Sequence, residues 1–269
     1  MCNLKAPPSV RAAAFSRHSR PRQQLGLTLI ELLVGIALGL LVIAAAIGTL
    51  TVSRTTAGTV GDIAQLQQQG SFTLRVIGLQ LRQAGSQEPQ KSDTNGLYSF
   101  DTTYAGIDSQ SISVKGEDGA DGDSLSVSNF SSAGLENTQR RSCLGSVIAA
   151  NTTMDATFKR KASSNELLCA TTLPSIEAQA IATNVTDFQV AYRVGSASGT
   201  QIMTAENVEG GNLWKSVSGI EICLELKGDQ RMPDTGATYT NCKNQSTSRG
   251  DKFRLVFRNT FDIRAGILP

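Results

Sequence analysis

The stretch LTLIELLVGIALGLLVIAAAIGTL, residues 27–50, decides the fold of this 269-residue chain. Only three of its residues are polar, Thr28, Glu31 and Thr49. As an α-helix rising about 1.5 Å per residue, the stretch would span about 36 Å, and the hydrocarbon core of a bilayer is about 30 Å thick. The sequence therefore predicts a single transmembrane helix at residues 27–50.

Residues 1–26 form a basic leader. They contain no acid and five cations, Lys5, Arg11, Arg17, Arg20 and Arg22, whereas only Arg54 follows the apolar stretch closely. This bias predicts a cytoplasmic N-terminus and a body on the other side of the membrane. The other 20 of the 25 Lys and Arg residues accompany 23 Asp and Glu residues from Leu27 onward. A slightly acidic body argues against nucleic-acid binding as a main role.

A secretory signal peptide is the alternative interpretation of the apolar stretch, with Ala44-Ala45-Ala46 as its small-residue cleavage site. The apolar region of a signal peptide usually has about 7–15 residues and no acid, whereas this one is longer and contains Glu31. A carboxylate at the centre of a membrane helix costs about 2.5–3.5 kcal/mol on insertion scales. Glu31 is therefore a candidate functional residue.

The run from Gly26 to Val34, GLTLIELLV, resembles the prepilin signal of type IV pilins and type II secretion pseudopilins. The resemblance implies that a prepilin peptidase cuts between Gly26 and Leu27 and methylates the new α-amine of Leu27. It also implies that Glu31 is the glutamate at the fifth mature position, with a role in assembly and register. Further along, seven residues fall at spacings similar to those of PilW-type minor pilins: Gly70, Phe72, Leu74, Leu81, Arg82, Ala84 and Gly85.

The segment after residue 50 has the period of an amphipathic helix. Its apolar and small residues recur at steps of three or four: Ile63, Leu66, Gly70, Leu74, Ile77, Leu81 and Ala84. The opposite face is polar, with Asp62, Gln65, Gln68, Arg75 and Arg82. We expect this helix to continue the membrane helix, to stop at Gly85 before Pro89, and to pack its apolar stripe under a folded head.

Beyond Pro89, short runs alternate between apolar and polar residues, which indicates half-buried strands. The clearest runs are Leu125 to Val127, Phe188 to Tyr192, Ile220 to Leu226 and Phe253 to Phe257. The predicted fold class is α+β, a long N-terminal helix packed against an antiparallel β-sheet head, and the resemblance implies the same pilin fold. The expected organisation is a cleaved leader 1–26, a transmembrane helix 27–50, an amphipathic continuation 51–88 and a periplasmic β-rich head 89–269.

Four cysteines follow the leader, Cys143, Cys169, Cys223 and Cys242, and they could pair in three ways. Proximity in sequence and the resemblance favour Cys143–Cys169 and Cys223–Cys242, two loops of about 20–27 residues that each contribute about 3 kcal/mol. An oxidising periplasm would form them. A zinc site is the rival interpretation. The chain lacks a C-x-x-C motif, however, and its one histidine, His18, lies in the leader.

An acidic loop, residues 116–123, offers weak calcium candidates in Asp118, Asp121 and Asp123. A solvated turn before a strand explains the same pattern. Glu221 and Glu225 share one face of a predicted strand, and a polar outward face suffices to explain them. With no hydrolase or phosphate-loop motif and no histidine beyond the leader, we expect no enzyme, no metal and no cofactor.

The resemblance implies a minor pilin of a type IV pilus, which takes part in the initiation of assembly or in the tip complex. The implied partners are the prepilin peptidase, the major pilin, other minor pilins and the inner-membrane assembly platform. The precursor would cross the inner membrane once before it enters a fibre at the cell surface. Two alternatives stay open, a type II secretion pseudopilin and a membrane-anchored periplasmic binding or adhesive module that never joins a fibre.

Overall fold

The computed structural model describes residues 26, 28–86, 89–91, 96, 98–100, 107, 112–134, 136–137, 139–172, 176–196, 199–233 and 235–263. Residues 1–54 and residues 55–269 form two compact units, and each unit is described by itself. The basic leader, Cys2, His18 and Leu27 lie outside the described residues.

Two α-helices and thirteen strands make up the described part of the chain. The first helix is α1 (Leu29–Gln83), and a short helix, α2 (Ala205–Gly210), precedes a 3-10 turn at Trp214–Ser216. The strands are β1 (Pro89–Lys91), β2 (Tyr98–Phe100), β3 (Val114–Glu117), β4 (Ser124–Ser131), β5 (Thr152–Lys161), β6 (Glu166–Thr171), β7 (Gln179–Ala182), β8 (Val185–Ser196), β9 (Gly199–Met203), β10 (Val217–Arg231), β11 (Thr238–Thr240), β12 (Ser246–Ser248) and β13 (Lys252–Asp262).

The strands form two larger antiparallel sheets. One sheet has the strand order β3-β4-β5-β6-β7 and the other has the order β13-β10-β8-β9. Two small hairpins, β1-β2 and β11-β12, complete the described strands. The expected α+β class is confirmed, with a head that divides its strands between two sheets. Strand β8 connects the two, since the Asp123 amide before β4 donates to the Phe188 carbonyl at 2.8 Å.

The second half of α1 buries the stripe that its sequence predicts. Leu66, Ile77 and Leu81 are at most 2% exposed. A fully buried aliphatic side chain contributes about 1.5–3 kcal/mol relative to an exposed one, so this face holds the helix on the head. The helix ends at Gln83, and Gly85 follows in the left-handed region with φ of 68°, where a residue without a Cβ is favoured. Its amide donates to the Ser128 carbonyl at 3.0 Å.

Two glycines of α1, Gly70 and Gly78, leave room for two aromatic rings from β13. A Cβ on Gly70 would overlap the ring of Phe257, and a Cβ on Gly78 would overlap the ring of Phe261. The absence of a side chain at these two positions therefore brings the backbone of α1 close to the four-stranded sheet.

Asp62, predicted on the polar face, is only half exposed and fixes α1 to the end of β10. Its carboxylate accepts hydrogen bonds from the backbone amides of Asp229 at 3.1 Å and Gln230 at 3.2 Å. The register between β10 and β13 shifts in the same place, between Lys227 and Arg231. The carboxylate thus satisfies two backbone donors of an irregular segment.

Strand β10 is buried on both faces, although alternation in its sequence predicts a half-buried strand. Ile220, Ile222 and Leu224 are fully buried on the face toward α1 and the core. On the other face Cys223 and Glu225 are 4% and 3% exposed. The hairpin β11-β12 explains this second burial, because Cys242 and Tyr239 belong to it and contact that face.

Candidate functional site: the N-terminal helix and the polar clusters of the head

Helix α1 begins with a capping arrangement. The amide of Glu31 donates to the Thr28 hydroxyl oxygen at 3.4 Å, and the amide of Leu32 donates to the Thr28 carbonyl at 3.2 Å. Thr28 and Glu31 have the spacing of a capping box, and an acid in the first turn is favoured by the helix dipole. A glutamate at position 31 is therefore explained in part by its stabilisation of the first turn of α1.

Gly26 is exposed, and Leu27 lies outside the described residues. The structure describes only one side of the predicted cleavage site, so processing there stays a prediction.

The described residues of its own unit do not cover the apolar half of α1. All residues of α1 up to Ala57 are exposed, and the large side chains are strongly so, with Leu29 at 78% and Leu41 at 67%. Cβ atoms built on Gly35, Gly39 and Gly48 would meet no other atom within 4 Å. An 18-residue window of this helix has a mean hydropathy of 2.7, so by length and composition the helix can cross a membrane. A helix that is apolar on all sides needs lipid or other helices around it.

Two carboxylates of the acidic loop, those of Asp118 and Asp123, accept hydrogen bonds from backbone amides of the head. Asp118 accepts from the first amides of α2, those of Ala205 at 3.0 Å and Glu206 at 2.8 Å, so that it caps a helix distant in sequence. Asp123 accepts from the amides of Val190 at 2.8 Å and Gly119 at 3.2 Å and is 5% exposed. Burial raises the pKa of Asp123 above its ordinary 3.8, and its bonds to the two backbone amides oppose the shift.

Asp121 is exposed, with its carbonyl bound by Arg160. Among the described residues no three His, Cys, Asp or Glu side chains are grouped as a metal site needs. The arrangement thus gives a structural reason for Asp118 and Asp123 that does not involve calcium.

Glu225 is the centre of a buried polar cluster, and the interpretation of its face as simply polar and outward is incomplete. Its Oε1 accepts from Thr186 Oγ1 at 2.8 Å, Tyr239 OH at 2.7 Å and Arg254 Nη1 at 2.7 Å. The Arg254 guanidinium also lies 5.6 Å from the centre of the Tyr239 ring. Burial and the hydrogen bond to Glu225 raise the pKa of Tyr239 to about 12. Glu221, on the same face, is half-buried and takes no part in the cluster.

The structure joins Cys143 to Cys169 and Cys223 to Cys242, the same pairs that the resemblance implies. Their Cα atoms lie 6.5 Å and 5.6 Å apart. The first disulfide ties the loop before β5 to β6. The second ties the hairpin β11-β12 to the central strand β10, which shields Glu225.

Sequence reasoning missed three features of the head. Tyr192 is fully buried, packs edge-on against Trp214 with ring centres 5.0 Å apart, and fills the space beside Gly116. The other two are the capping role of Asp118 and the buried cluster around Glu225. A local signal exists only at the start of α1, where the spacing of Thr28 and Glu31 predicts a capping box. Asp118 and Ala205 are 87 residues apart, so no local pattern predicts their contact.

Comparison with known proteins gives one family match. Residues 21–47 match the prokaryotic N-terminal methylation motif. No curated protein sequence is significantly similar to the chain. Among solved structures, a type IV-like pilin from Thermus thermophilus aligns with a TM-score of 0.45 at 12% identity, over 74% of this chain and 97% of that one.

Proposed function

We propose that this chain is a type IV pilin-like subunit, made as a membrane-anchored precursor and built into a fibre as a minor pilin. One observation carries the proposal: the N-terminal methylation motif at residues 21–47 coincides with the start of a helix whose apolar surface is uncovered. A motif of this kind implies cleavage by prepilin peptidase, and here the bond is that between Gly26 and Leu27. The head, a helix packed on antiparallel sheets, is compatible with a pilin fold.

The mechanism follows from the two environments that the apolar helix can occupy. In the membrane, lipid surrounds residues 29–50, and in a fibre the helices of neighbouring subunits take the place of lipid. Lipid tails are as apolar as leucine, so the gain comes from close packing at small residues such as Gly35 and Gly39 and from pairing of polar groups. Glu31 is then the group that needs a partner, and the new α-amine of Leu27 on a neighbouring subunit provides one.

That ion pair would set register more than stability, because desolvation of two charges offsets much of their attraction. A subunit that is shifted along the fibre, so that its Glu31 does not lie beside an α-amine, would bury an unpaired carboxylate in an apolar bundle. The expected partners are the major pilin and other minor pilins, together with the assembly platform of the inner membrane. The role in initiation or at the tip rests on the resemblance of the 70–85 segment to PilW-type minor pilins.

Mass spectrometry of the N-terminus of the protein purified from cells tests the proposal. The expected mature chain begins with N-methylated Leu27, and in cells without prepilin peptidase it keeps the leader. A Gly26→Val variant should also stay uncut, whereas Gly35→Val, with the same change nine residues further along, should be processed normally. A mature chain that begins at Ile47, or that retains residues 1–26 in wild-type cells, would contradict the proposal.

A second measurement separates the two fibre systems. Deletion of the gene should reduce surface pili and twitching motility if the chain serves a type IV pilus. Loss of protein secretion with normal twitching would favour the type II secretion pseudopilin instead. A chain that is never cut at Gly26 would favour the anchored periplasmic module.

A further inference from the structure

A cavity of about 940 Å³ opens in the head between the end of α1, the end of β4, the loop that carries Cys143, and β7. Small-molecule pockets usually have volumes of about 300–1,000 Å³, so the cavity is large enough for a ligand of drug-like size. It lies within residues 72–181 and therefore in the head alone. Nothing in the fibre role described above uses it.

The walls of the cavity are largely apolar. On the helix side Phe72, Val76 and Leu79 line it, and Phe72 and Leu79 are 58% and 45% exposed. On the opposite side Leu144 and Ile181 line it, both half-buried. Apolar side chains that line a concave surface are typical of a binding site for an apolar group.

Two of the deeply buried polar side chains that line the cavity have an atom without a hydrogen-bond partner among the described residues. Gln80 is 3% exposed, and its Nε2 donates to the Arg141 carbonyl at 3.2 Å, while its Oε1 has no hydrogen-bond partner in the described part of the chain. Ser131 is also 3% exposed, and its Oγ likewise has no partner there. Buried polar atoms normally have partners, so these two mark positions where a bound molecule can supply a donor or an acceptor.

The charged side chains that line the cavity in the described part of the chain are all basic. Three arginines line it, Arg82, Arg140 and Arg141, and the described lining residues include no Asp or Glu. Arg140 donates from Nη2 to Asn137 Oδ1 at 2.5 Å, and Arg141 donates from Nη1 to the Gly145 carbonyl at 2.6 Å, so both guanidinium groups are held in place. The buried Nε of Arg140 has no partner among the described residues. A positioned guanidinium with a spare donor binds an anionic oxygen.

We propose that this cavity is a binding site for a small apolar anion, a molecule with an aromatic or aliphatic body and one acidic group. The body packs between Leu79 and Ile181, and the acidic group pairs with Arg140. A hydroxyl or amide on the ligand would reach Gln80 or Ser131. The binding is independent of cleavage at Gly26, so it can be tested whether or not the chain enters a fibre.

Photolabelling of the full-length chain in phosphatidylcholine nanodiscs tests the site. The probe is 4-benzoylbenzoate, an apolar carboxylate whose ketone inserts into nearby C–H bonds under light, and 4-benzoylbenzamide is its uncharged control. We expect saturable labelling by the carboxylate, located by peptide mass spectrometry within residues 72–83 or 139–148. Because a charge-assisted hydrogen bond is lost, the amide should need an about tenfold higher concentration for half-saturation. Unsaturable labelling, or equal labelling by the two probes, would overturn the proposal.

Matched variants separate the charge from the apolar wall. Arg140→Gln should raise the probe concentration needed for half-saturation about tenfold. Arg75→Gln alters an exposed arginine of α1 outside the cavity and should not change that concentration. Leu79→Asp should abolish labelling, and Ile202→Asp, which alters an exposed apolar residue on β9 outside the cavity, should leave it intact. Since Leu79 and Arg140 are not core residues, unchanged thermal unfolding will show that the variants fold. Normal labelling of Arg140→Gln or Leu79→Asp would contradict the site.

The source of the anion can be read in the same assay. Nanodiscs that contain phosphatidylglycerol should protect the site from the probe if a lipid is the ligand, and should leave labelling unchanged if the ligand is soluble. Either result supports a site for an apolar anion and identifies where its ligand comes from.

Discussion

The ring of Phe257 on β13 occupies the space that a side chain at Gly70 of α1 would need. Two turns further along the helix, Gly78 lies against Phe261 in the same way. The two glycine–phenylalanine contacts set how closely α1 approaches the four-stranded sheet. The contact supplies a packing reason for a glycine at both positions.

Gly70→Ala should therefore destabilise the head. The added methyl group overlaps the ring of Phe257, and overpacking of this kind costs about 1–3 kcal/mol. Chemical unfolding followed by circular dichroism measures the change. Gly61→Ala is the matched control, since Gly61 is an exposed glycine of the same helix with no atom near its Cβ position. It should stabilise the chain by about 0.5–1 kcal/mol. Equal effects of the two substitutions would contradict the contact.

Glu225→Gln should destabilise the head because Arg254, whose side chain is only 23% exposed, loses its charged partner. Hydrogen bonds to charged groups contribute about 1.5–3 kcal/mol, and a loss in this range is expected. Glu221→Gln alters the same face of β10 outside the cluster and should change the free energy of unfolding by less than about 0.5 kcal/mol.

The same variant should change the titration of a tyrosine. The pKa of Tyr239 is raised to about 12 by burial and by Glu225. In Glu225→Gln it should fall, while burial keeps it above the ordinary 10.0. Ultraviolet titration with Tyr239→Phe as the reference measures it. A titration identical to that of the wild type would mean that Glu225 does not act on Tyr239.

Asp123→Asn should remove one component of the pH dependence of stability, the one that comes from the proton of Asp123. Because burial raises the pKa of Asp123 above 3.8 in the folded chain, the folded state binds this proton more tightly than the unfolded state. The contribution is fully present below pH 3.8 and is lost as the pH rises through the raised pKa. Asp118 and Asp187, the acids near Asp123, add to the shift.

The control for this prediction is Asp121→Asn, an exposed acid of the same loop. Free energies of unfolding from pH 3 to pH 8 should show the wild-type pH dependence in this variant, whereas Asp123→Asn should lack the decrease in stability that the wild type shows as the pH rises through the raised pKa. Parallel curves for all three proteins would rule out a raised pKa at Asp123.

Glu31→Ala tests the pairing of Glu31 with the α-amine of a neighbouring subunit. The variant should be inserted in the membrane and cut after Gly26, but its incorporation into surface fibres should fall about tenfold or more, since the α-amine is left unpaired in an apolar bundle. Thr49→Ala, a polar position of the same helix, should assemble normally. Quantitative immunoblots of sheared pili measure both, and normal piliation with Glu31→Ala would refute the pairing.

Periodicity predicted the helical part of the fold well. The stripe from Ile63 to Ala84 is a local pattern with the period of a helix. The structure buries it from Leu66 onward and ends α1 at Gln83, before Gly85. The strands around Leu125, Phe188, Ile220 and Leu255 could be predicted from the sequence because alternation depends only on the residues of one strand. The division of these strands between two sheets was not visible, since it depends on pairings between residues far apart in sequence.

The sequence by itself determined that residues 27–50 form an apolar helix long enough to cross a membrane and that a prepilin-type motif marks its start, because both are properties of consecutive residues. The tertiary structure decided what the scattered polar residues do. It placed Asp118 on the start of α2, buried Glu225 under a hairpin, and gathered three arginines around an apolar cavity. Each of these depends on side chains from distant parts of the chain, and neither composition nor spacing predicts such contacts.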